Sequence, residues 1–558
     1  MKILILGGYG TFGGRLAFLL VDEPGLTLMI AGRSLPKAIA FCKSLKGTAQ
    51  KQAVLFDRST DIEQQLRQHA PDVVVDASGP FQDYGDDPYL VIKTCIALGM
   101  HYLDLADGSG FVQGVGQFDA AAREKGIVVL SGVSSFPVLT AAVSRQLAIG
   151  MTEVRRITAG IAPSPFAGVG LNVVRAIAGY AGQPLVLVRD GTATTAYAFT
   201  ESRRYTIAPP GKLPLRSTLF SLVDAPDLRV LPQLWPHLDA VWIGAGPVPV
   251  VLHYMLIALA RVVRLRLLRT LAPFAGLFHR VINTLAWGEH RGGMYVEVEG
   301  LDANGKYCEN SWHMLAEGDD GPLVPSMAVA ALVQRMLQGQ LPAPGARTAI
   351  SELELADYET QFARRSIVAG RRSASGMPGN EPLYQRLLGD AWYDLPAPIR
   401  SMHNLHGGKT VTGEADIDGG SNLLARLVAN LAGFPAAGKN VPLTVTFSEN
   451  NGQEHWLRYF GSKKLTSIQS EGRGRSRWLL NERIGLVTFG MALVLERGKL
   501  KYVVRRWSIL GLPLPLALAP GGRTYEYAVD GLFKFDIEIK HPLLGRIVRY
   551  RGYLKEPD

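Results

Sequence analysis

Cysteine is nearly missing from these 558 residues. The three present, Cys42, Cys95 and Cys308, lie far apart and form no C-x-x-C pair. That excludes a disulfide scaffold and a cysteine-rich zinc or iron–sulfur site, and it fits a reducing cytosol. The histidines show no metal-ligand spacing: His403 and His406 fall in a Gly/Asn loop, so no metal is expected. There is no G-x-S-x-G, H-E-x-x-H, P-loop lysine or EF-hand loop. Charged residues are sparse at 19% while apolar ones reach 47%, which excludes a disordered chain. The length exceeds what one core can serve, so two to four domains are expected. The opening MKILILGGYG carries a short apolar run but no small-residue cleavage site, so a strand is expected there and the protein is placed in the cytoplasm.

The net charge of +10 is uneven. From Gln361 to Asp558 there are 28 Lys+Arg against 17 Asp+Glu, a balance of +11, whereas the first 360 residues balance at −1. A basic third on a near-neutral body suits an anionic membrane surface or an acidic substrate. Nucleic acid is not an expected partner, because no zinc-finger, helix-turn-helix or RNP-like pattern accompanies the charge. Arg473, Arg475, Arg477 and the pair Arg505-Arg506 sit among apolar and aromatic residues, and a solvated sheet face is the plainer account of them.

Six short apolar runs, Lys2–Leu6, Leu26–Ala31, Ala53–Phe56, Asp72–Asp76, His101–Asp104 and Ile127–Leu130, alternate with helical spacing over the first 131 residues. This predicts an α/β fold with a doubly wound parallel sheet, its strands apolar on both faces because helices cover each side. The cofactor-binding domain is expected over 1–150 and an α+β substrate domain over 151–350. A helix near 325–338 is expected to pack back on the first domain. The Gly/Ser/Arg-rich stretch 366–380 reads as a linker, and 381–558 as a β-rich C-terminal domain.

Chemistry enters where the first strand meets Gly7-Gly8-Tyr9-Gly10-Thr11-Phe12-Gly13. Gly8, Gly10 and Gly13 satisfy G-x-G-x-x-G between a strand and a helix. The first permits the tight turn, the second lets backbone approach a pyrophosphate, and the third lets helix and strand pack closely. The helix start at Thr11 and Phe12 offers free N–H groups to the phosphates. After the second strand an NAD enzyme usually places a carboxylate. Here Gly32-Arg33-Ser34 leaves room and positive charge for a 2′-phosphate, which favours NADP; a solvated turn arginine is the alternative. Asp57 ends the third strand and either accepts from the adenine amino group or caps the next helix. Ser78-Gly79-Pro80-Phe81 follows the fourth strand, at the sheet end that borders the crevice. Tyr84, Tyr102 and Asp104 are the candidate acids near the nicotinamide; Asp104 equally suits holding a neighbouring loop. Loops at His101–Asp104 and Ser131–Pro137 converge on the same crevice.

These residues resemble the saccharopine dehydrogenase-like reductases: the glycine turn Gly8–Gly13, the Ser78-Gly79-Pro80-Phe81 turn, the His101-Tyr102-Leu103-Asp104 strand and the Ser135-Phe136-Pro137 turn. The lipid-acting branch, with the trans-acting enoyl reductases, is the more similar. The resemblance covers about residues 1–345. The tail, with Trp456-Leu457-Arg458-Tyr459-Phe460 and Leu510–Pro515, resembles a bacterial domain of unknown function fused behind such reductases. The resemblance implies a Rossmann domain, an inserted substrate domain and NADP; it carries over no catalytic residue.

Ala240–Ala260 holds no charge and is followed by Arg261, Arg264, Arg266 and Arg269, within an apolar segment 240–285. Pro247 and Pro249 argue against a straight span. A helix dipping into the interface, and a buried helix followed by a solvated basic one, are the two readings. The expectation is therefore an NADP-dependent reductase of an apolar substrate, a lipid, polyketide or isoprenoid with an activated C=C or C=O. It is placed in the cytoplasm or peripherally on the inner membrane face, as a monomer or homodimer. The alternatives are a C–N oxidoreductase on an amino acid or polyamine, and a non-catalytic NADP-binding protein at a membrane.

Overall fold

The computed structural model describes residues 1–558 apart from 82–83, 248, 376–380 and 557–558. The chain forms two compact units. One is Met1–Arg203 with Leu219–Val368; the other is Arg204–Thr218 with Ala369–Asp558.

The first unit opens with β1 (Lys2–Leu6), α1 (Thr11–Leu20), β2 (Thr27–Gly32), β3 (Gln50–Leu55), β4 (Val73–Asp76), β5 (His101–Asp104) and β6 (Val128–Ser131). All pair in parallel, in the order β6-β5-β4-β1-β2-β3, with Gly345–Thr348 added beside β6. The order reverses between β1 and β4, and the crevice outside the strand ends at such a switch point is where ligands bind. Ile3, Leu4, Ile5, Val73, Val74 and Val75 are fully buried, as strands covered on both faces must be. The Gly345–Thr348 strand carries no apolar run, and its partner β6 supplies the burial instead.

A second, mixed sheet is centred on Met151–Ala162. Ala240–Ala245 pairs with it in parallel on one side, and the hairpin Arg291–Asp302/Tyr307–Glu317 lies antiparallel on the other. Asp302 Oδ1 accepts from the N–H groups of Asn304 and Lys306 and closes the hairpin turn. Val324–Leu337 is a helix lying against α1, with Ser326 Oγ donating to the Phe12 carbonyl at 3.1 Å and Gln334 Nε2 to Glu23 at 2.7 Å.

Two expectations are corrected. The stretch 366–380 is no linker over its first part: Ile367–Ser375 is a strand at the edge of this sheet, opened by the apolar run Ile367-Val368-Ala369 despite the turn-like composition that follows; 376–380 lie outside the described residues. The uncharged run Ala240–Ala260 is not one helix. Its β-branched and aromatic start forms the strand Ala240–Ala245, and the helix Val250–Arg264 begins only after Pro249. Among the described residues no helix is long and apolar enough to cross a membrane.

In the second unit, helices Leu383–Leu388 and Ala397–His403 precede an antiparallel barrel of ten described strands, each paired with the next in sequence. The last, Gly545–Lys555, returns to pair with the first, Gly408–Asp418, so the sheet closes. A two-residue strand, Leu512–Pro513, is attached outside this ring.

Candidate active site

The phosphate turn is built from backbone. Gly8 N–H donates to the Ala31 carbonyl at 2.9 Å and Gly10 N–H to the Gly7 carbonyl at 2.8 Å, locking the turn onto β2. Gly7 has φ +71°, which favours glycine. A side chain at Gly13 would come within 2.4 Å of the Gly7 oxygen, and one at Gly8 within 2.8 Å of the Ile5 oxygen. These glycines serve packing. Gly10 differs: it is exposed, and a Cβ there would meet only the Gly7 carbonyl, at 3.0 Å for the oxygen. Its bare face is turned to the crevice. No side chain caps α1 and no acidic residue stands in its first turn, so the N–H groups at Thr11, Phe12 and Gly13 keep their capacity for an anion. The arrangement fits the pyrophosphate of a dinucleotide.

The segment that follows the strand Met151–Ala162 reaches this turn. Arg15 Nη2 donates to the Ala167 carbonyl at 3.3 Å, Asn172 Nδ2 donates to the Gly79 carbonyl at 2.8 Å, and Gly170 lies against Thr11 Oγ1. Segment 164–172 therefore borders both cofactor loops.

At the adenosine end, Arg33 is exposed and free of hydrogen bonds and ion pairs among the described residues. Tyr9, which sequence reasoning passes over, fills the space above Gly32, where a Cβ would lie 2.6 Å from its ring; its hydroxyl accepts from the Ser34 N–H at 3.0 Å. The glycine at position 32 thus makes room for a tyrosine that ties the two turns together. Asp57 Oδ1 accepts from Ser59 N–H and Oγ, which holds its carboxyl below the usual range with help from Arg33. The cap of the next helix is Asp61, not Asp57.

Beyond the end of β4, Ser78 and Tyr84 gather around Asp76. Asp76 is fully buried and accepts from Ser78 N–H at 3.0 Å, Ser78 Oγ at 2.6 Å and Tyr84 Oη at 3.2 Å. Arg58 stacks its guanidinium 3.2 Å from the Tyr84 ring centre, with Nε 4.0 Å from Asp76. Burial and the Asp76 charge push the Tyr84 hydroxyl well above its ordinary value, so it stays protonated at neutral pH. Pro80 follows Gly79 through a cis peptide bond, and Phe81 packs on Tyr84 and Phe111 with ring centres 4.8 and 5.2 Å apart.

The other two candidate acids are corrected. Tyr102 is walled into the sheet at 1% exposure, so its hydroxyl does not open to the crevice. Asp104 is fully buried; its Oδ1 accepts from the N–H groups of Ala106 and Gly132 and from Ser131 Oγ, binding the loops after β5 and β6 together. Oδ2 has no hydrogen-bond partner, and burial pushes the carboxyl up to about 7 against those three donors. Both residues shape the site from beneath. Sequence reasoning misses a further group: a cavity of about 90 Å³ is lined by Ser109, Tyr180, Asp224 and Arg229 among others. Burial raises the carboxyl of Asp224, and that of the fully buried Asp227 reaches about 7. No spacing or motif marks these two aspartates; only their place in an apolar stretch, Ser221–Leu228, sets them apart.

Comparison with known proteins agrees with this geometry. Residues 3–130 match the saccharopine dehydrogenase NADP binding domain, and residues 395–554 match a domain of unknown function, DUF4166. No curated protein matches the sequence. Among solved structures, the chain is similar to the L-Glu-forming saccharopine dehydrogenase of Saccharomyces cerevisiae at 13% identity and TM-score 0.46, covering 67% of this chain and 99% of that one. It is also similar to a meso-dapdh variant from Clostridium tetani (12% identity, TM-score 0.32, 66% and 98% covered). A third is GenD2 from gentamicin A biosynthesis in complex with NAD (14%, 0.25, 54% and 70%). Likeness at that level carries no argument about substrate. The N-terminal domain match and the open glycine turn together identify the chain as an NAD(P)-dependent oxidoreductase carrying a saccharopine dehydrogenase NADP-binding domain, with a DUF4166 domain behind it.

Proposed function

We propose that the chain is an NADP(H)-dependent reductase of an apolar, lipid-like substrate with an activated C=C or C=O. The observation that carries the substrate class is the pairing of five arginines that lie on the second sheet or on the hairpin beside it. Arg155, Arg156, Arg189, Arg203 and Arg291 bond Glu153, Glu299, Glu201, Glu297 and Glu289 in turn. Guanidinium groups so engaged are not offered to the carboxylates of an amino-acid substrate. NADP(H) would be held by Gly8, Gly10, Thr11, Phe12 and Gly13 at the pyrophosphate, with Arg33 and Ser34 at the 2′-phosphate. Bound there, it supplies the hydride. The chain's own part is to bind and to orient through Ser78–Phe81; the Tyr84 hydroxyl donates its hydrogen bond to Asp76 and burial makes it a weaker acid, so it serves to hold this turn and not to donate the proton.

The helix Val250–Arg264 and the five residues after it supply a surface for such a substrate. Val251, Tyr254, Met255, Leu265 and Leu267 are exposed, and Arg261, Arg264, Arg266 and Arg269 stand beside them. This reads as peripheral attachment to an anionic membrane.

The test is NADPH consumption by the whole chain against two panels: long-chain enals and enones in anionic vesicles, and 2-oxo acids with amino acids. Consumption is expected with the first. Replacing the four arginines by Gln should raise KM for vesicle-borne substrate and leave kcat. Consumption only with the second panel would overturn the reading.

A further inference from the structure

The C-terminal barrel encloses a cavity of about 380 Å³, within the range of about 300–1,000 Å³ found for small-molecule sites. Its walls follow the period of two that a strand imposes: Leu443, Val445 and Phe447 line it from one strand, and Trp456, Arg458 and Phe460 from the next. Smaller barrels fill such an interior with their own side chains. Here Ile484, Phe489, Val504 and Ile537 line the cavity yet stay only half-buried, because nothing of the barrel's own reaches across to cover them. An apolar wall without partner atoms forfeits its dispersion contacts until something fills the space.

The polar groups inside are few and already matched. Arg458 bonds Ser467 Oγ at 2.9 Å and Glu482 at 3.4 Å, and Gln469 Nε2 donates to the same Glu482 oxygen at 3.2 Å. Tyr384 Oη donates to Gln469 at 2.9 Å and accepts from Tyr502 Oη at 3.1 Å. Glu526, also on the wall, is bonded to the buried His403 at 2.6 Å. The guanidinium of Arg458 thus faces a carboxylate. A ligand carboxylate would meet Glu482 and Glu526, and burying it so would cost far more than burying an uncharged oxygen.

The two ends of the barrel differ. Successive connections in an antiparallel meander alternate between ends. The helices before the barrel serve the end holding the turn at 451–452, where Arg386 Nη2 donates to the Gly452 carbonyl at 3.3 Å. The opposite end holds the connection between the first two strands, with helix Leu423–Leu431, and the connections near 485–486 and 510–523. There Leu423, Leu424, Leu427, Leu431, Leu486 and Leu510 are each more than half exposed. Leu516, Pro520 and Gly521 from the 510–523 connection also line the cavity, so this apolar end leads into it.

We propose that the barrel is a binding site for one elongated, uncharged lipid-like molecule bearing a hydrogen-bonding oxygen. It enters by the leucine-covered end and lies with its oxygen toward Arg458, Gln469 and Tyr502. The site belongs to this unit alone and stands whether or not the N-terminal unit reduces a lipid.

The test titrates the full chain with Nile red, an uncharged apolar dye, and displaces it with cetyl alcohol or palmitate. Saturation at one dye per chain is expected, with cetyl alcohol displacing it at concentrations about tenfold lower than palmitate. Val445→Trp, which fills the cavity, should weaken dye binding about tenfold or more. Should that variant lose its fold by circular dichroism, Ile484→Asp at the half-buried wall tests the same site and should weaken it comparably. Dye uptake that never saturates, or that a folded Val445→Trp or Ile484→Asp variant leaves unchanged, would overturn the site. Palmitate displacing as well as cetyl alcohol would overturn its uncharged ligand.

Discussion

The parallel sheet and the barrel solve opposite problems with the same secondary structure. In the sheet both strand faces are consumed by the core, as full burial of Ile3–Ile5 and Val73–Val75 shows, so chemistry is confined to loops beyond the strand ends. In the barrel nine of the ten described ring strands turn side chains toward a space the chain does not fill, so recognition sits mid-strand, at Arg458 and Glu482. The first arrangement binds with backbone N–H groups and tolerates few side chains. The second binds with side chains and has no backbone to spare, because the closed ladder uses it.

Gly10→Val offers the largest effect on that contrast. Gly10 has φ −82°, which suits any residue, and its open side meets only the Gly7 carbonyl. The variant should fold, lose NADPH affinity about a hundredfold or more, and leave Nile red binding untouched. Calorimetric titration of both ligands checks this; a parallel loss of dye binding would break the division between the two regions. A second measurement concerns what lies beneath the loops. Asp104, at about 7 when folded against 3.8 unfolded, holds a proton that the unfolded chain releases. Its stabilising share is full below about pH 4 and is lost as pH rises through about 7. Asp104→Asn should reduce the fall in unfolding free energy between about pH 5 and 8 by about 2 kcal/mol, read by denaturant titration. Asp227, in the same window, keeps some slope. The most selective effect belongs to Arg33→Ala, expected to weaken NADPH by about 1.5–3 kcal/mol while sparing NADH. Equal losses for both cofactors would leave Arg33 a solvated turn residue.

What can be read in advance depends on how local each feature is. KILIL followed by a glycine turn announces β1 and its phosphate site within a dozen residues, because burial on both faces and the tight turn leave their marks in consecutive positions. The strand Gly345–Thr348 is invisible in sequence: Gly-Ala-Arg-Thr takes its place from β6, more than two hundred residues earlier. Tyr102 and Asp104 do lie at a strand end, but sequence does not reveal which side chains of a strand end open to the crevice and which lie under it. Asp224 and Asp227 give no signal, since their burial is made by segments distant in the chain. The alternation in the C-terminal third points to strands; closure into a ring, and hence a cavity, depends on Gly545–Lys555 finding Gly408–Asp418 across the whole domain.

The stretch Arg204–Thr218 belongs to the barrel unit although it lies inside the first unit's sequence. Arg372 Nε donates to the Ala208 carbonyl at 2.7 Å, and Leu495 N–H to the Gly211 carbonyl at 2.8 Å. A domain added at the end of a gene can ordinarily be removed with one cut. Here the chain passes between units three times, so stopping translation after Val368 would leave fifteen residues stripped of their partners in the middle of the enzyme. Loss of the barrel by a single stop codon would therefore damage the oxidoreductase as well, so no single truncation removes one unit and leaves the other whole.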